Sequence, residues 1–467
     1  MKIFLVSAPS ELAKHSSWTD NLFNTYFLNE RSYPLGVAYL GSILKTANYD
    51  VKLFDYFNKP LIEIETDFIT LIKKEKPAIV SFTILSMNRT SSFYLIEKIK
   101  KIAPETKIIS GGVHCSVLYE QILRNFPIDA ICLGEGENVI IPLVENVFNK
   151  NSLQKVNGIA YLNEKNDLVI TPSPDITKLD DVPFPEHDAF LTKKSKVLYM
   201  ITSRGCVGKC IFCSTISYWK RWRTRSPENI VDEIEANIKR FPNIDYIFFN
   251  DDAFTLDNKR AINICKEIIK RGIKIKWTCS ARVTPISLEM LQWFKKAGCI
   301  RITYGIESGS DRMLQMMKKY ITRDQIITAF DLTKKAGIEA KAFLLVGLPT
   351  ENDESINETI SLLKRINYVA DGAAIVELYP NTEIYQMAKE KGFISDDYWL
   401  TDKIIPKYTY EHSISELTSM EFRIVYESYK NKGIVSLLIF ALKKLIVKPN
   451  LILGIGLQLI KNKAHKI

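Results

Sequence analysis

Short apolar runs alternate with helix-like stretches over the first 150 residues of the chain. The runs typical of buried strands are KIFLVSAP, YDVKLFDY, PAIVSFTIL, TKIISGG and DAICLGEGE. Between them, LGVAYLGSILKTA and SSFYLIEKIKKIA have the apolar spacing of helices. This alternation predicts a Rossmann-like, doubly wound parallel sheet over 1–150, with helices on both faces. A ligand of such a sheet binds beyond the carboxyl ends of its strands.

A connector and a second alternation follow. Over 151–190, VNGIAYLNEKNDLVITPSP is typical of a hairpin and KLDDVPFPEHDAF of an acidic linker with prolines. Over 191–385, helical stretches such as 257–271 and 352–367 separate six further runs: KVLYMITSRGC, DYIFFNDD, KIKWTCSARV, CIRITYGIES, IEAKAFLLVG and GAAIVELYP. Six consecutive βα units predict a partial (β/α)6 barrel, with its catalytic face at the carboxyl ends of the strands. The whole chain is therefore assigned to the α/β class.

The last region, 386–467, is predicted to be a small helical region. It ends in GIVSLLIFALKKLIVKPNLILGIGLQLIKNKAHKI, which contains no acidic residue. Its two apolar runs fall far short of the ~20 residues that a membrane-spanning helix needs. Two interpretations stay open: an amphipathic cap on the barrel, or peripheral contact with an anionic membrane surface, which basic residues around apolar runs favour.

Composition and charge narrow the classes of function. The chain has 467 residues, enough for two or three domains with separate cores. Its net charge of +10 arises from 63 basic and 53 acidic side chains, and over this length such a bias does not predict a nucleic-acid partner. The apolar run in MKIFLVSAPS is too short for a signal peptide. We therefore expect a cytoplasmic protein whose eight cysteines are thiols or metal ligands.

Three cysteines crowd into the segment SRGCVGKCIFCS, directly after the first strand of the predicted barrel. Cys206, Cys210 and Cys213 have the spacing CxxxCxxC. Zinc sites usually take four protein ligands, commonly as two distant pairs, whereas the other five cysteines of this chain are scattered singly. Thiolates also bind iron–sulfur clusters, normally four per cluster. Three thiolates would leave one iron open to a substrate or cofactor.

With the aromatic Phe212 before its last cysteine, the CVGKCIFC motif resembles that of the radical S-adenosylmethionine (SAM) enzymes. The resemblance covers about 190–385. It implies a [4Fe-4S] cluster held by the three cysteines, with SAM on the remaining iron. It also implies that the reduced cluster cleaves SAM to a 5′-deoxyadenosyl radical, which abstracts hydrogen from a substrate. An external electron donor such as flavodoxin or ferredoxin would supply the electron.

Four later segments resemble the parts of that family which contact SAM. FFNDDAF stands at the position that contacts the SAM amino group, and WTCSARV resembles the segment that holds SAM polar groups. YGIESGS resembles the segment near the ribose and carboxylate, and LLVGLPTEN the turn near the adenine. FFNDDAF departs from the family's Gly-Gly-Glu-type motif, so it stays open which of its polar residues contacts the SAM amino group. The residues of the barrel implied to contact its cofactors are Phe212, Asn250, Asp251, Asp252, Ser280, Arg282, Glu307, Ser308, Gly347 and Pro349.

The first 150 residues resemble the cobalamin-binding domain that precedes the barrel in one large class of these enzymes. The segments that carry this resemblance are SYPLGVAYLGSIL, VSFT, SGGVHCS and LGEGE. The chain departs from ordinary cobalamin domains where they supply a histidine to cobalt, because Tyr33 stands three residues before Gly36. A phenol, with a pKa of about 10, is a poor cobalt ligand, so we expect base-off cobalamin without a histidine ligand. The residues implied to contact cobalamin are Tyr33, Ser81, Thr83, Gly111, Gly112, His114, Gly134 and Glu135.

Three functions follow from these patterns. The two resemblances in this order imply a cobalamin-dependent radical SAM enzyme, first of all a methyltransferase acting on an unactivated carbon of a small-molecule or lipid-like substrate. The second hypothesis is a cyclisation, rearrangement or oxidation without methyl transfer. The third is a non-catalytic iron–sulfur protein for electron transfer or sensing. A first domain with another nucleotide, or with no ligand, also stays open, although no G-x-G-x-x-G follows the first strand.

Overall fold

The computed structural model describes residues 1–10, 32–174, 178–219, 221–438 and 440. The strands in this part of the chain are β1 (Lys2–Ser7), β2 (Asp50–Asp55), β3 (Ile79–Thr83), β4 (Lys107–Gly111), β5 (Ala130–Cys132), β6 (Ile159–Leu162), β7 (Leu168–Ile170), β8 (Val197–Met200), β9 (Ser203–Arg204), β10 (Arg223–Thr224), β11 (Tyr246–Phe249), β12 (Lys276–Ala281), β13 (Cys299–Glu307), β14 (Glu339–Val346) and β15 (Ala374–Ile375). The helices are α1 (Leu35–Thr46), α2 (Leu61–Glu75), α3 (Arg89–Ile102), α4 (Val113–Asn125), α5 (Ile140–Asn146), α6 (Lys150–Leu153), α7 (Thr215–Trp219), α8 (Pro227–Arg240), α9 (Asn258–Lys270), α10 (Leu288–Lys296), α11 (Asp311–Met316), α12 (Arg323–Lys335), α13 (Asp353–Arg365), α14 (Glu383–Glu390) and α15 (Ile414–Lys430). Short 3₁₀ turns occupy Leu179–Asp181, His187–Ala189 and Asp396–Leu400.

The first sheet contains the five apolar runs of the first 150 residues. Its order is β2-β1-β3-β4-β5-β6-β7, and β1 to β5 are parallel. Both faces of β1 are buried, since Phe4 and Val6 belong to one apolar cluster and Ile3 and Leu5 to another. The order 2-1-3-4-5 places a topological switch point between β1 and β3, where such sheets leave a crevice at the carboxyl ends of the strands.

The hairpin that the sequence assigns to a connector is part of this sheet. β6 pairs antiparallel with β5, and β7 pairs antiparallel with β6. Ile159, Ala160 and Tyr161 are buried, so the hairpin covers the edge that β5 would otherwise expose. Its tip is polar, because the Asn163 side chain accepts hydrogen bonds from the amides of Lys165 and Asp167.

The second sheet has the order β15-β14-β13-β12-β11-β8, and all of its pairings are parallel. Strands that neighbour each other in sequence order, with helices between them, give the curled, open barrel that the sequence predicts. The helices begin where the sequence provides caps: Ser226 accepts from the Asn229 amide and Pro227 occupies the first turn of α8. The structure thus confirms the α/β fold class, with a Rossmann-like sheet followed by a partial barrel.

The chain after the barrel is helical as far as it is described. Helix α15 begins with a capping box between Ser413 and Glu416 and packs against α13 and β15. Within the described ranges, no helix is both long and apolar enough to cross a bilayer. Most of the basic apolar tail, 441–467, lies outside the described residues.

Candidate functional site

The three-cysteine segment is an irregular loop that follows β9 and, together with α7 after it, connects β9 to β10. Gly205 begins it with a φ of +87°, and a Cβ there would lie 2.6 Å from the Arg221 carbonyl oxygen, so this turn requires glycine. The Asp252 carboxylate accepts a hydrogen bond from the Gly205 amide at 3.1 Å and another from the Thr215 hydroxyl at 3.1 Å. Asp252 therefore holds both ends of the loop against the segment that follows β11.

The three thiols of the loop are half-buried and free. Burial raises the pKa of the Cys210 and Cys213 thiols, while the cations Lys319 and Arg282 act in the opposite direction on Cys210. Among the described residues, no three His, Cys, Asp or Glu side chains converge closely enough to ligate a single metal ion. A cubane cluster takes each thiolate on a different iron, so its cysteines need not meet at one point. Three free, half-buried thiols on one loop fit the set of ligands that such a cluster needs.

The five other cysteines are packed in the core. All are buried, and burial raises the pKa of each of these thiols. They are Cys115, Cys132, Cys265, Cys279 and Cys299. Their full burial separates them from the half-buried loop cysteines, because a thiol enclosed in the core is inaccessible to a ligand as well as hard to ionise.

Three charged side chains lie beside the cysteine loop. Glu307 is 5% exposed, has a φ of +64°, and accepts a 2.6 Å hydrogen bond from the Lys319 ammonium on Oε1. Its Oε2 is buried without a hydrogen-bond partner in the described part of the chain. Arg282 donates to the Lys319 carbonyl at 2.7 Å, and a Cβ on Gly208 would lie 2.8 Å from its Nη1. The sequence predicts Glu307 and Arg282 here but misses Lys319, since nothing distinguishes the KK of MMKKY from a solvated pair.

Other predicted SAM residues have structural partners. Asp251 is buried and accepts from the Thr202 amide, the Thr202 hydroxyl and the Ser203 hydroxyl at 2.5–2.6 Å, which fixes the chain just before the cysteines. Ser308 is buried beside the Thr359 hydroxyl at 3.2 Å. Asn250 is exposed.

The remaining predicted residues of the barrel lie at strand ends or against the core. The Ser280 carbonyl accepts from the Phe254 amide, and Phe212 packs partly buried against the core. Gly347 has a φ of +88° and donates its amide to the Glu351 carboxylate at 2.6 Å, and Pro349 is buried in the same turn after β14. Burial raises the pKa of the Glu351 carboxyl. In the described part of the chain, no hydrogen bond joins Gly347 or Pro349 to the cysteine loop.

A cavity of about 430 Å³ opens at the carboxyl ends of the first sheet. Among its lining residues are most of those that the sequence predicts to contact cobalamin: Tyr33, Ser81, Thr83, Gly111, Gly112, Gly134 and Glu135. Gly36 and Gly134 form an open cradle, because a Cβ on either would meet no described atom within 4 Å. Gly112 is different, since its φ is +99° and a Cβ would lie 2.8 Å from the Ile84 carbonyl oxygen. The glycines thus fit the close approach of a large, flat ligand.

His114 lies outside the lining of this cavity. It is buried, its Nδ1 is 3.1 Å from the Ser86 hydroxyl, and its ring packs edge-on against Trp399 at 5.3 Å. Burial, together with the nearby Arg89 cation, lowers the pKa of His114 to about 3. The sequence places His114 among the cofactor contacts, whereas in the structure its ring points into the core between the first sheet and the region after the barrel.

Tyr33 lines the cavity, but its hydroxyl is engaged elsewhere. It lies 2.6 Å from His187 Nδ1, and His187 Nε2 lies 2.8 Å from the Glu233 carboxylate, which also forms an ion pair with Arg225. Burial and then Glu233 raise the pKa of the Tyr33 phenol far above its ordinary value. Burial alone would raise the pKa of Glu233, but Arg225 and His187 hold it below its usual range. The phenol is therefore held neutral and turned towards the linker.

The far wall of the cavity comes from residues that flank the cysteine loop. Arg204, two residues before Cys206, and Tyr218 and Trp219 at the end of α7 all line it. Sequence reasoning assigned no site role to these three residues. The sequence marks these residues only by their position on either side of the cysteines. Their contact with the first sheet depends on how the two sheets pack, which no local pattern shows.

Comparisons with known proteins agree with both halves of this site. The model of the radical SAM superfamily matches residues 200–363, and that of the B12 binding domain matches residues 28–143. An uncharacterized methyltransferase of Pyrococcus horikoshii is 31% identical over 437 residues, 92% of each chain. An anaerobic magnesium-protoporphyrin IX monomethyl ester cyclase of Rubrivivax gelatinosus is 32% identical over 378 residues, covering 78% of this chain and 67% of that protein.

A solved structure shares the fold. It is the radical S-adenosylmethionine methyltransferase TsrM from Kitasatospora setae, determined with cobalamin and a [4Fe-4S] cluster bound. The TM-score is 0.67 and the sequence identity 16%, with 84% of this chain and 75% of the other covered.

Proposed function

Because this chain belongs to the cobalamin-dependent radical SAM enzymes, whose cofactors are a [4Fe-4S] cluster, SAM and cobalamin, we propose that it methylates an unactivated carbon of a small-molecule or lipid-like substrate. One observation carries the proposal most directly. The cavity of the first sheet, where cobalamin would bind, is walled on its far side by residues that flank the three cysteines. A carbon held near the cysteine loop would then lie close to both cofactors.

The cysteine loop would hold the cluster. Cys206, Cys210 and Cys213 supply three thiolates, and Asp252 keeps the loop's ends together through Gly205 and Thr215. When bound, the cluster and SAM supply a radical that takes a hydrogen atom from the substrate, and cobalamin supplies the methyl group.

The charged residues beside the loop would bind the aminoacyl end of SAM. Glu307 Oε2 is a buried carboxylate oxygen with no partner among the described residues, which suits an ammonium group. Lys319 and Arg282 are cations near Cys210, which suits a carboxylate. We keep Asn250 and Ser280 as further contacts, and assign Asp251, Asp252 and Ser308 to positioning because their side chains already have partners.

The first sheet would hold cobalamin without a protein ligand to cobalt. Tyr33 is hydrogen-bonded to His187, and the pKa of its phenol is raised by burial, so a phenolate is unavailable at neutral pH. Ser81, Thr83, Gly111 and Gly134 line the cavity and would lie against the nucleotide tail and the ring. The half-buried side chains of Tyr218 and Trp219 line the cavity and would limit the access of water to the space between the cofactors.

A second reaction is favoured by one specific comparison. The relative from Rubrivivax gelatinosus is named as a cyclase, so radical cyclisation without methyl transfer is the second candidate. A non-catalytic electron-transfer or sensing role has less support, since the cavity and the charged residues beside the loop have no use in it. We also propose the domain limits 1–150, 151–190, 191–385 and 386–467, with the hairpin of 151–190 extending the first sheet. The proposed electron donor is a flavodoxin or ferredoxin. The proposed location is cytoplasmic, with peripheral contact of the tail at the inner face of the membrane.

The test is an anaerobic assay of the reconstituted chain with SAM carrying a deuterated methyl group, cobalamin and a reductant. We expect 5′-deoxyadenosine, S-adenosylhomocysteine and a deuterium-labelled acceptor. Cys206→Ala, Cys210→Ala and Cys213→Ala should each abolish 5′-deoxyadenosine, whereas Cys265→Ala, in the core, should not. Activity in all three loop variants would contradict radical SAM chemistry. 5′-Deoxyadenosine with neither S-adenosylhomocysteine nor a labelled product would favour the cyclisation.

A further inference from the structure

The cysteine loop is attached to the cobalamin cavity at both of its ends. Arg204 precedes Cys206 by two residues, and α7 follows Cys213 and ends in Tyr218 and Trp219. The backbone of these residues belongs to the second half of the chain, but their side chains line the cavity of the first sheet. A change in the cavity wall can therefore reach the cysteines along the chain from either side.

Arg204 is the centre of this attachment. Its guanidinium donates to the Glu135 carboxylate at 2.8 Å and to the Glu137 carboxylate at 2.6 Å, and both acids follow β5 of the first sheet. It also lies between two aromatic rings, 5.2 Å from the centre of Tyr39 and 5.4 Å from that of Trp219. The charge is only 6% exposed, so its neutralisation depends on residues of the first sheet.

Two further contacts fasten the same segment. Arg223 stands opposite Arg204 on the β9–β10 ribbon and also forms an ion pair with Glu135. The Tyr218 hydroxyl donates to the Gly134 carbonyl at 2.9 Å. The LGEGE segment of the first sheet is thus bound by the strand before the cysteines and by the helix after them.

The energetics favour an arrangement that holds as a unit. Burial disfavours the charged guanidinium, and the carboxylates of Glu135 and Glu137, 2.8 Å and 2.6 Å away, compensate for that cost. A buried charge that loses its partners is strongly unfavourable. A ligand that moved or fixed Glu135, Gly134 or Trp219 in the cavity wall would therefore require a matching position of Arg204 and of the loop that follows it.

We propose that Arg204 is a positioning residue that couples cobalamin in the cavity to the cluster on the cysteine loop, so that each strengthens the binding of the other. The inference rests on the proposed function only for the identity of the two cofactors, and it requires no methyl transfer. Coupling between two binding sites is reciprocal and usually about 5- to 150-fold.

The test compares hydroxocobalamin affinity of the full chain with and without the reconstituted cluster, under anaerobic conditions without substrate. For the unaltered chain we expect the dissociation constant to fall at least about fivefold when the cluster is present. The reciprocal readout is the rate at which a chelator removes the cluster, which hydroxocobalamin should slow.

The variants separate positioning from general stability. In Arg204→Gln, which removes the charge, the ratio of the two dissociation constants should fall to below about twofold, an effect smaller than the usual coupling range. Arg204→Lys keeps the positive charge but lacks the planar guanidinium, whose two terminal nitrogens reach Glu135 and Glu137. The ratio of dissociation constants in Arg204→Lys should therefore lie between those of Arg204→Gln and the unaltered chain. The matched control is Arg271→Gln, which also removes a guanidinium from its carboxylate partners, Asp232, Glu235 and Glu267, but outside the cavity. It should leave the ratio unchanged.

A measurement on the unaltered chain keeps the test decisive if Arg204→Gln fails to fold. Hydroxocobalamin should slow amide hydrogen exchange over 203–219, because this segment is fastened to the cavity wall. Unchanged exchange there, a ratio of one in the unaltered chain, or an undiminished ratio in Arg204→Gln would each overturn the inference while leaving the proposed function intact. A chain that binds no cobalamin at all would instead contradict the proposed function.

Discussion

At the scale of single residues, buried charge beside the cysteine loop has a measurable consequence. Glu307 and Lys319 are 6% and 7% exposed in their side chains and form a 2.6 Å ion pair. Glu307→Gln leaves the Lys319 ammonium buried without its carboxylate, which should lower the free energy of unfolding by about 3–5 kcal/mol. The measurement is urea unfolding of the chain without cofactors. SAM affinity should fall as well, with iron content retained.

The neighbouring lysine provides the control for that prediction. Lys318 pairs with Glu383 at 2.7 Å, but these side chains are 43% and 46% exposed. Glu383→Gln should therefore change the free energy of unfolding by no more than about 1 kcal/mol. Equal losses in both variants would contradict the role assigned to burial.

His114 makes stability depend on pH. Its pKa is lowered to about 3 in the folded chain, whereas an unfolded histidine titrates near 6.5. Above pH 6.5 the ring is neutral in both states. Below pH 6.5 the unfolded chain takes up the proton first, so the free energy of unfolding decreases as the pH decreases, by up to ~1.4 kcal/mol per pH unit. His114→Gln should remove this component. The measurement is urea unfolding at pH 7.5 and 5.5, followed by tryptophan fluorescence. Between these pH values the unaltered chain should lose about 1.4 kcal/mol more free energy of unfolding than His114→Gln.

His412→Gln is the matched variant for that experiment. His412 is only half-buried and contacts the Glu351 carbonyl, so this variant removes a histidine without opening the core, and its loss of stability between pH 7.5 and 5.5 is the comparison for His114→Gln. An equally steep loss of stability in His114→Gln would show that the buried ring is not the group responsible. His114→Gln should also leave the optical spectrum of bound cobalamin unchanged, since His114 does not line the cavity.

At the scale of secondary-structure elements, the start of α1 offers a probe of the cavity. Gly36 lies in its first turn and lines the cavity, and a Cβ there meets no described atom within 4 Å. Gly36→Leu should therefore fill space that cobalamin needs without a clash in the empty chain, lowering cobalamin retention at least about tenfold, or about 1.4 kcal/mol. Iron content after reconstitution should be unchanged, which absorbance and iron analysis would measure.

A smaller substitution at the same position completes this experiment. Gly36→Ala adds one methyl group and favours the helix, so its effect on retention should be clearly smaller. Full cobalamin retention in Gly36→Leu would mean that the ligand does not approach α1. Gly112 is a poorer probe, because its positive φ and the Ile84 carbonyl make any side chain costly for folding itself.

The sequence predicts elements well where one local pattern decides them. The helices expected at 257–271 and 352–367 are Asn258–Lys270 and Asp353–Arg365, because caps and apolar periodicity mark both. Contacts between distant segments leave no such pattern. Lys319 beside Glu307, and Arg204 between Tyr39 and Trp219, depend on how loops from different strands meet, so their sequence neighbours cannot reveal them.

At the scale of the whole molecule, the basic tail sets a prediction about location. Residues 441–467 lie outside the described part of the chain, and their sequence contains six lysines and no acidic residue. Each lysine near an anionic bilayer contributes about 1 kcal/mol. We expect the full chain, but not a chain ending at 440, to sediment with phosphatidylserine vesicles, and high salt should weaken the binding. Sedimentation of both chains alike would contradict a membrane role for the tail.

Arg89 joins the beginning of the chain to its far end. It begins α3 of the first domain and is fully buried. Its guanidinium packs over the Trp399 ring at 5.1 Å and donates to the carbonyls of Ser86, Thr401 and Lys403. Lys403 is 314 residues further along the chain. At ~5–20 residues per second, a ribosome needs roughly 15–60 s to make that distance. During this interval the Arg89 charge stays exposed to water, so the first domain cannot complete the burial of Arg89 until the segment that contains Thr401 and Lys403 has been made.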